Sequence, residues 1–265
     1  CASGLASAVN GSRMLALGDA DLVIAGGVEN MTRGPWVMSK ASKAFGRDSS
    51  LYDTSFGWRF INPKLEAVYG VDGMGVTAEN LVDKYSISRE DQDAFAFRSH
   101  MKAAAARDAG RLAQEIIPVN IPRRKQDDLI FEHDEFIKPD TTVEILAKLR
   151  PAFRKEGGSV TAGNSSGLND GSAALLLANE SGLTSSGLTP LAQIISSAVV
   201  GVEPRIMGIG PVRASEMALK KAGITFNDLD VIELNEAFSA QALACMRAWG
   251  LDDDDSRINP NGGGI

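Results

Sequence analysis

Small and apolar residues at Leu5, Ala8, Val9, Ser12, Leu15 and Ala16 recur at helical spacing and predict an amphipathic helix, with Gly18 as its stop. The apolar run Leu22-Val23-Ile24-Ala25 predicts a short buried strand broken at Gly26-Gly27. Helix then buried strand is the order of a layered α/β fold. Residues 32–75 show few periods but hold Trp36, Tyr52, Trp58, Phe60 and Tyr69, which predicts a structured loop region. A helix follows, with Ser88 as cap, Asp91 as capping-box partner, Ala94, Phe95 and Ala103–Ala106 along it, and Gly110 at its end. Prolines and mixed charges over 118–140 predict an exposed excursion. The α/β pattern resumes at Ser159-Val160-Thr161-Ala162-Gly163 and the apolar strand Ala173–Ala178. Beyond a junction at Ser185-Ser186-Gly187 come a strand at 191–199, a helix at 212–222 stopped by Gly223, and a buried strand Val231–Leu234. The stretch from Gly18 to Ile24 faintly echoes Gly223 through Ile232, as duplicated α/β halves do.

Composition narrows the function classes. A chain of 265 residues, 44% hydrophobic, can bury one large or two modest domains. A net charge of -7 and a pI near 5.0 argue against nucleic acid or an anionic membrane as main partner. No apolar run approaches the roughly 20 residues of a membrane span, and no signal peptide is visible. Two distant cysteines make no disulfide framework, which points to a reducing, cytoplasmic compartment.

Three stretches carry candidate chemistry. Cys1 opens the run Cys1-Ala2-Ser3-Gly4-Leu5 at a helix start, where backbone amides favour thiolate and small neighbours leave room for a large group. Asn235-Glu236-Ala237-Phe238 follows the strand expected at Val231–Leu234, and carboxyl ends of strands are where ligands bind in open α/β sheets. There Asn235 either holds a water or orients a base, or it caps the next helix. Thr161 through Gly171 is a polar, glycine-rich turn without P-loop or GxGxxG spacing, suited to an amide-rich ligand arm or to a plain turn. His100 and His133 are alternatives for a base to Cys1, against surface or packing roles. Two isolated histidines and two distant cysteines argue against a zinc site, and no metal is expected. Met31, Met38, Met74 and Met207 fit an acyl pocket or core filling. Cys245, in the apolar stretch Ala242–Ala248, reads as an inert buried thiol.

Taken together, the chain resembles the thiolase family. The resemblance rests on Cys1-Ala2-Ser3-Gly4-Leu5, Ala25-Gly26-Gly27-Val28-Glu29-Asn30-Met31, Thr161 through Gly171, Met207-Gly208-Ile209-Gly210-Pro211, Asn235-Glu236-Ala237-Phe238 and Asn259-Pro260-Asn261-Gly262-Gly263, in the family's order over essentially the whole chain. Tyr52-Asp53-Thr54 and Gly57-Trp58-Arg59-Phe60-Ile61-Asn62-Pro63 resemble the 3-oxoadipyl-CoA thiolase branch.

The resemblance implies a duplicated layered α/β/α/β/α fold with an inserted loop domain. Residues 1–32 and 159–189 would belong to the N-terminal domain, 33–158 to the inserted loop domain, and 190–265 to the start of the C-terminal domain. It implies thiolytic cleavage of a 3-ketoacyl-CoA with Cys1 as nucleophile and Asn235 holding an oxyanion-hole water. Phe153, Ala162 and Ser166 match positions that contact the CoA arm, and Met74, Met207 and Phe238 the acyl-pocket wall. Coenzyme A is then a substrate and no cofactor is expected; acyl-CoA, CoA and further copies of the chain in a homodimer or homotetramer are the expected partners. Arg33, Arg47 and Arg59 are candidates for a dicarboxylic acyl terminus, with Arg59 preferred for its place in the branch-like segment. The alternatives are a broad acetyl-CoA C-acetyltransferase acting on acetoacetyl-CoA and a non-catalytic CoA-binding relative. A ketoacyl-synthase type fits the Asn235-to-Phe238 run less well. Departures from the family pattern are the strands before Cys1, Gly264 in place of the usual alanine, and an end at Ile265 before the family's Gly-His and later Cys-containing motifs. The expectation is that these 265 residues alone are inactive.

Overall fold

The computed structural model describes residues 1–265. Along the chain run α1 (Ser3–Leu17), β1 (Leu22–Asn30), β2 (Trp36–Met38), β3 (Leu51–Asp53), α2 (Pro63–Tyr69), α3 (Met74–Tyr85) and α4 (Arg89–Asp108). Then come β4 (Val119–Ile121), β5 (Leu129–Phe131), α5 (Val143–Ala147), β6 (Asp170–Ala178), α6 (Glu180–Ser186), α7 (Gly210–Ala222) and α8 (Ser239–Ala248). The chain divides into two compact units, one of 1–61, 168–199 and 215–224, the other of 62–167, 200–214 and 225–265.

In the first unit β1 and β6 form an antiparallel ribbon with Leu22 opposite Ala178 and Asn30 opposite Asp170. Helix α1 lies on one face of it, burying Ala8, Gly11 and Leu15, and stops where Gly18 turns left-handed at φ 77°. Gly11 is the close point: a Cβ there would sit 3.0 Å from Leu177 Cδ1 and 3.1 Å from Val23 Cγ1. Two expectations for β1 fail. The strand runs unbroken through Gly26-Gly27 because Gly26 lets β6 approach, its missing Cβ being 2.2 Å from Ala173 O. Nor is the strand buried on both faces: one helix covers one face, and Ile24 and Val28 on the other are each 79% exposed. Thr32 Oγ1 donates to Asp170 Oδ2 at 2.6 Å and ties the strand ends together.

The 32–61 stretch holds the short β2–β3 pairing, Trp36 opposite Asp53 and Met38 opposite Leu51, with Tyr52 edge-on to Phe60 at 5.2 Å. Residues 191–199, expected as a strand, pair with no strand. Their apolar side chains Leu191, Ile195 and Val199 are exposed, and Ser196 Oγ bonds Ala218 O of α7 instead.

The second unit is helical at its centre. Helix α8 is buried on all sides from Ser239 to Met246, and Leu81 of α3, Phe95 of α4, Leu146, Leu234 and Ile258 pack around Leu243 and Met246. Each such side chain contributes about 1.5–3 kcal/mol on leaving water. Helix α4 starts with the expected capping box, Asp91 N donating to Ser88 Oγ at 3.0 Å and Ser88 N to Asp91 Oδ2 at 3.4 Å. Arg247 of α8 then bridges Asp91 and Asp253 at 2.7 and 2.6 Å. Helix α2 lies inside the 32–75 segment expected as loop, started by Asn62, whose side chain accepts from Lys64 N, with Pro63 in its first turn; α3 begins at that segment's end, with Met74 and Gly75. The excursion at 118–140 is exposed and contains the β4–β5 hairpin. Val231–Leu234 forms no ladder: only Ile232 pairs, in a parallel bridge with Ile258, and Val231 is exposed because no second strand joins it.

Candidate active site

In the second unit, Asn235 is exposed between buried Leu234 and buried Glu236. Asn259 fixes this alternation from behind. Its Oδ1 accepts from Leu234 N at 2.7 Å, while its Nδ2 donates to Leu234 O at 2.8 Å and to Glu236 Oε1 at 2.7 Å. Asn259 adopts φ 43°, a left-handed conformation that asparagine tolerates. Helix α8 begins at Ser239 with Phe238 at its cap position and no side-chain cap, so Asn235 does not cap it. The capping alternative is thereby excluded, and the Asn235 amide stands free of that duty.

The loop 159–167 is braced from below by side chains on α3 and α4. Glu79, fully buried, accepts from Ser159 N at 2.9 Å and Val160 N at 3.0 Å. Buried Asn164 accepts from Thr161 N at 2.8 Å and donates to Asp93 Oδ1 at 2.9 Å, and Arg89 Nε closes the far side of Asp93 at 2.8 Å. Two main-chain bonds join this loop to the Asn235 segment: Ser166 N donates to Ala237 O, and Ser239 N to Asn164 O, both at 3.0 Å. Ala162 stays exposed and Ser166 half-buried on this frame.

Phe153 stands edge-on to Phe238, centroids 5.9 Å apart and planes at 87°. It lies over Gly75, where a Cβ would fall 2.0 Å from the Phe153 ring. Met74 is the residue before, and the turn Pro204–Ile209 that carries Met207 packs against α3. Asn80 Nδ2 donates to Arg205 O at 2.8 Å and to Asp72 Oδ2 at 2.9 Å, and Arg205 Nε also reaches Asp72 at 2.9 Å. Gly208 sits against Gln241 and Leu81, and Cys245 Sγ donates to its carbonyl at 3.3 Å. Met74, Phe153 and Met207 remain between 39% and 48% exposed, so apolar surface is presented on a rigid polar base.

The other sequence candidates fall as follows. Cys1 and Arg59 belong to the first unit. Cys1 is exposed two residues ahead of α1, and Arg59 is exposed with Nη1 donating to Gly57 O at 3.1 Å. His100 is buried and its Nδ1 accepts from Lys138 N at 3.3 Å; burial, then the Lys138 charge, lowers its pKa. His133 is exposed beside Glu132. Burial pushes the Cys245 thiol up to about 12, which makes it unreactive. Glu79, Asp93, Asn164 and Ser99 support the site without having been singled out from sequence. Glu79 and Asp93 are buried by donors far away in the sequence, so no local pattern marks them.

Comparison with known proteins then decides the family. The thiolase N-terminal domain model matches residues 1–181 and the thiolase C-terminal domain model residues 188–265. The chain belongs to the thiolase family. This thiolase chain is 52% identical over 265 residues to the beta-ketoadipyl-CoA thiolase of Acinetobacter baylyi, covering all of itself and 66% of that relative. It is 48% identical to the acetyl-CoA acetyltransferase of Chromobacterium violaceum, again over 66% of the relative. Human mitochondrial 3-ketoacyl-CoA thiolase superposes with a TM-score of 0.89 at 40% identity, the chain covering 64% of it. The thiolase chain thus spans just under two thirds of the length of its relatives, and its mixed α/β architecture is the thiolase fold.

Proposed function

We propose that the protein is an acyltransferase that cleaves a 3-ketoacyl-CoA by thiolysis, with 3-oxoadipyl-CoA as substrate and succinyl-CoA and acetyl-CoA as products. The observation that carries the reading is the Asn235 amide, exposed on a fixed buried frame whose main chain is bonded to the Ser166 and Phe238 segments. The names of the relatives support the substrate class. Cys1 thiolate attacks the 3-keto carbon, forming a C–S bond and an alkoxide. Collapse of the alkoxide breaks the C2–C3 bond, its electron pair passing to C2 as an acetyl-CoA enolate that is then protonated. The acyl group stays on Cys1 until the sulfur of free CoA displaces it, a ping-pong cycle. Asn235 holds a water that donates to the alkoxide, and each such donor is worth roughly 10²–10³ in rate. Ser166, Ala162 and Phe153 line the CoA arm, Met74, Met207 and Phe238 the acyl group, and Arg59 receives the distal carboxylate.

With this reading go a cytoplasmic homodimer or homotetramer and no cofactor beyond CoA as substrate. The domain division of 1–32 with 159–189, 33–158, and 190–265 goes with it too; the matched ranges support a boundary near residue 188. The 48% identity to an acetyl-CoA acetyltransferase favours acetoacetyl-CoA as the competing substrate. The test uses the protein at its full encoded length, comparing turnover of 3-oxoadipyl-CoA and acetoacetyl-CoA before and after Arg59→Ala. A substrate ratio unmoved by the change removes Arg59 as selector, and a preference for acetoacetyl-CoA removes the adipyl reading. Protection of Cys1 from iodoacetamide by acyl-CoA is expected; its absence favours a non-catalytic CoA-binding protein.

A further inference from the structure

We infer that Glu236 is a positioning residue for Asn235, fixing the Asn235 amide by a buried carboxylate that locks three chain segments together. The inference rests on the proposed role of Asn235. Glu236 is 2% exposed and makes no salt bridge. Its Oε2 accepts the Ser99 hydroxyl of α4 at 2.5 Å and the Ile265 amide at 3.4 Å, and its Oε1 accepts from Asn259 at 2.7 Å. Ser99 Oγ in turn accepts from Gly263 N at 3.1 Å, so helix and terminal loop meet on one carboxylate. Gly263 has no room for a side chain, since a Cβ would lie 2.1 Å from the Glu236 carboxyl carbon.

The residue alternation makes this coupling specific. With Leu234 held on both main-chain groups by Asn259 and Glu236 held by its side chain, both neighbours of Asn235 are tied to the buried frame. The exposed amide between them has little backbone freedom left. Without the carboxylate the peptide can rotate, and a misplacement of about 1 Å costs on the order of 10² in rate. A buried carboxylate is costly to desolvate, and it is kept here by the Ser99, Asn259 and Ile265 donors that its removal would strand. Its acceptor geometry is what a positioning role needs.

Glutamine at 236 keeps shape but turns an NH2 toward either Ser99 or Asn259, both donors to the carboxylate. Glu236→Gln in the protein at its full encoded length is therefore expected to lower kcat about 10- to 100-fold with KM for CoA little changed. Ser99→Ala, which leaves the Asn259 bond intact, should give a smaller loss in the same direction and guards against a Glu236 variant that fails to fold. The deciding measurement is the cycle with Asn235→Ala. If Glu236 acts through Asn235, the double variant is no slower than Asn235→Ala alone. A kcat loss that multiplies across the two changes, or no loss in either Glu236→Gln or Ser99→Ala, overturns the inference while leaving the Asn235 role standing. Full activity in Asn235→Ala instead overturns the role proposed for Asn235.

Discussion

Replacing Glu79 tests whether the loop carrying Ala162 and Ser166 is held by hydrogen-bond acceptors or by charge. Alanine at 79 removes the acceptor of the Ser159 and Val160 amides, at 2.9 and 3.0 Å, in a place where Glu79 and Val160 are both fully buried. Each buried N–H left without a partner costs about 1–3 kcal/mol, and the vacated volume adds to it. Offsetting this, the desolvation of a carboxylate disappears. The balance for Glu79→Ala is a loss of about 3–4 kcal/mol. Glutamine separates the two contributions: its Oε1 can keep both amides, its NH2 can donate to Ser159 Oγ, now 3.4 Å from the carboxylate, and the charge is gone. Glu79→Gln should cost no more than about 1 kcal/mol.

The assay is urea unfolding followed by Trp249 fluorescence, in a background where the exposed Trp36 and Trp58 of the other unit are phenylalanine. The Val160 amide should exchange faster in the alanine variant, and KM for CoA should rise because the loop moves. Equal losses from alanine and glutamine would show that charge, not the acceptor pair, holds the loop. A loss below about 1 kcal/mol for alanine would refute the reasoning outright.

Gly75→Ala places a methyl 2.0 Å from the Phe153 ring and must push it off Phe238; KM for CoA should rise several-fold with kcat nearly unchanged, and steady-state kinetics read this directly. At pH 8 iodoacetamide should label one thiol in the folded chain, exposed Cys1, and two in urea, because the Cys245 thiol is pushed up to about 12; mass spectrometry counting two in the folded chain refutes the burial argument. The His100 pKa is lowered from 6.5, so below that pH the unfolded chain binds more protons than the folded one. Stability should therefore fall as pH drops below about 6.5, and His100→Asn, whose amide oxygen can replace Nδ1 as the Lys138 acceptor, should flatten that fall in urea midpoints taken between pH 7 and 5.

What the sequence makes legible here is whatever a few neighbouring residues decide. The left-handed stop of α1 at Gly18 and the Ser88–Asp91 box of α4 are local devices, and both are present as read. Strands are different, because a strand exists only if another lies beside it. Residues 191–199, Val231–Leu234 and Ala173–Ala178 are each rich in apolar side chains, yet only the last has a ladder partner, β1. Burial of charge is equally non-local. Glu79, Glu236 and Glu66 look alike on paper; Glu66 is exposed on α2, whereas the other two are buried because chain segments 80 residues away and 137 residues away bring hydrogen-bond donors to them. The candidate site divides the same way. Its accessible members, exposed Asn235 and Met207 and half-buried Ser166, sit in recognisable motifs, since chemistry restricts them to particular residue types. Its buried support, Glu79, Asp93, Asn164 and Ser99, is defined by who donates to whom across α3, α4 and the 159–167 loop. Glu236 belongs to both groups, in the motif by position and in the frame by its bonds. Substituting Glu236 should therefore lower kcat through Asn235, whereas substituting Glu79 should act on stability and on KM for CoA.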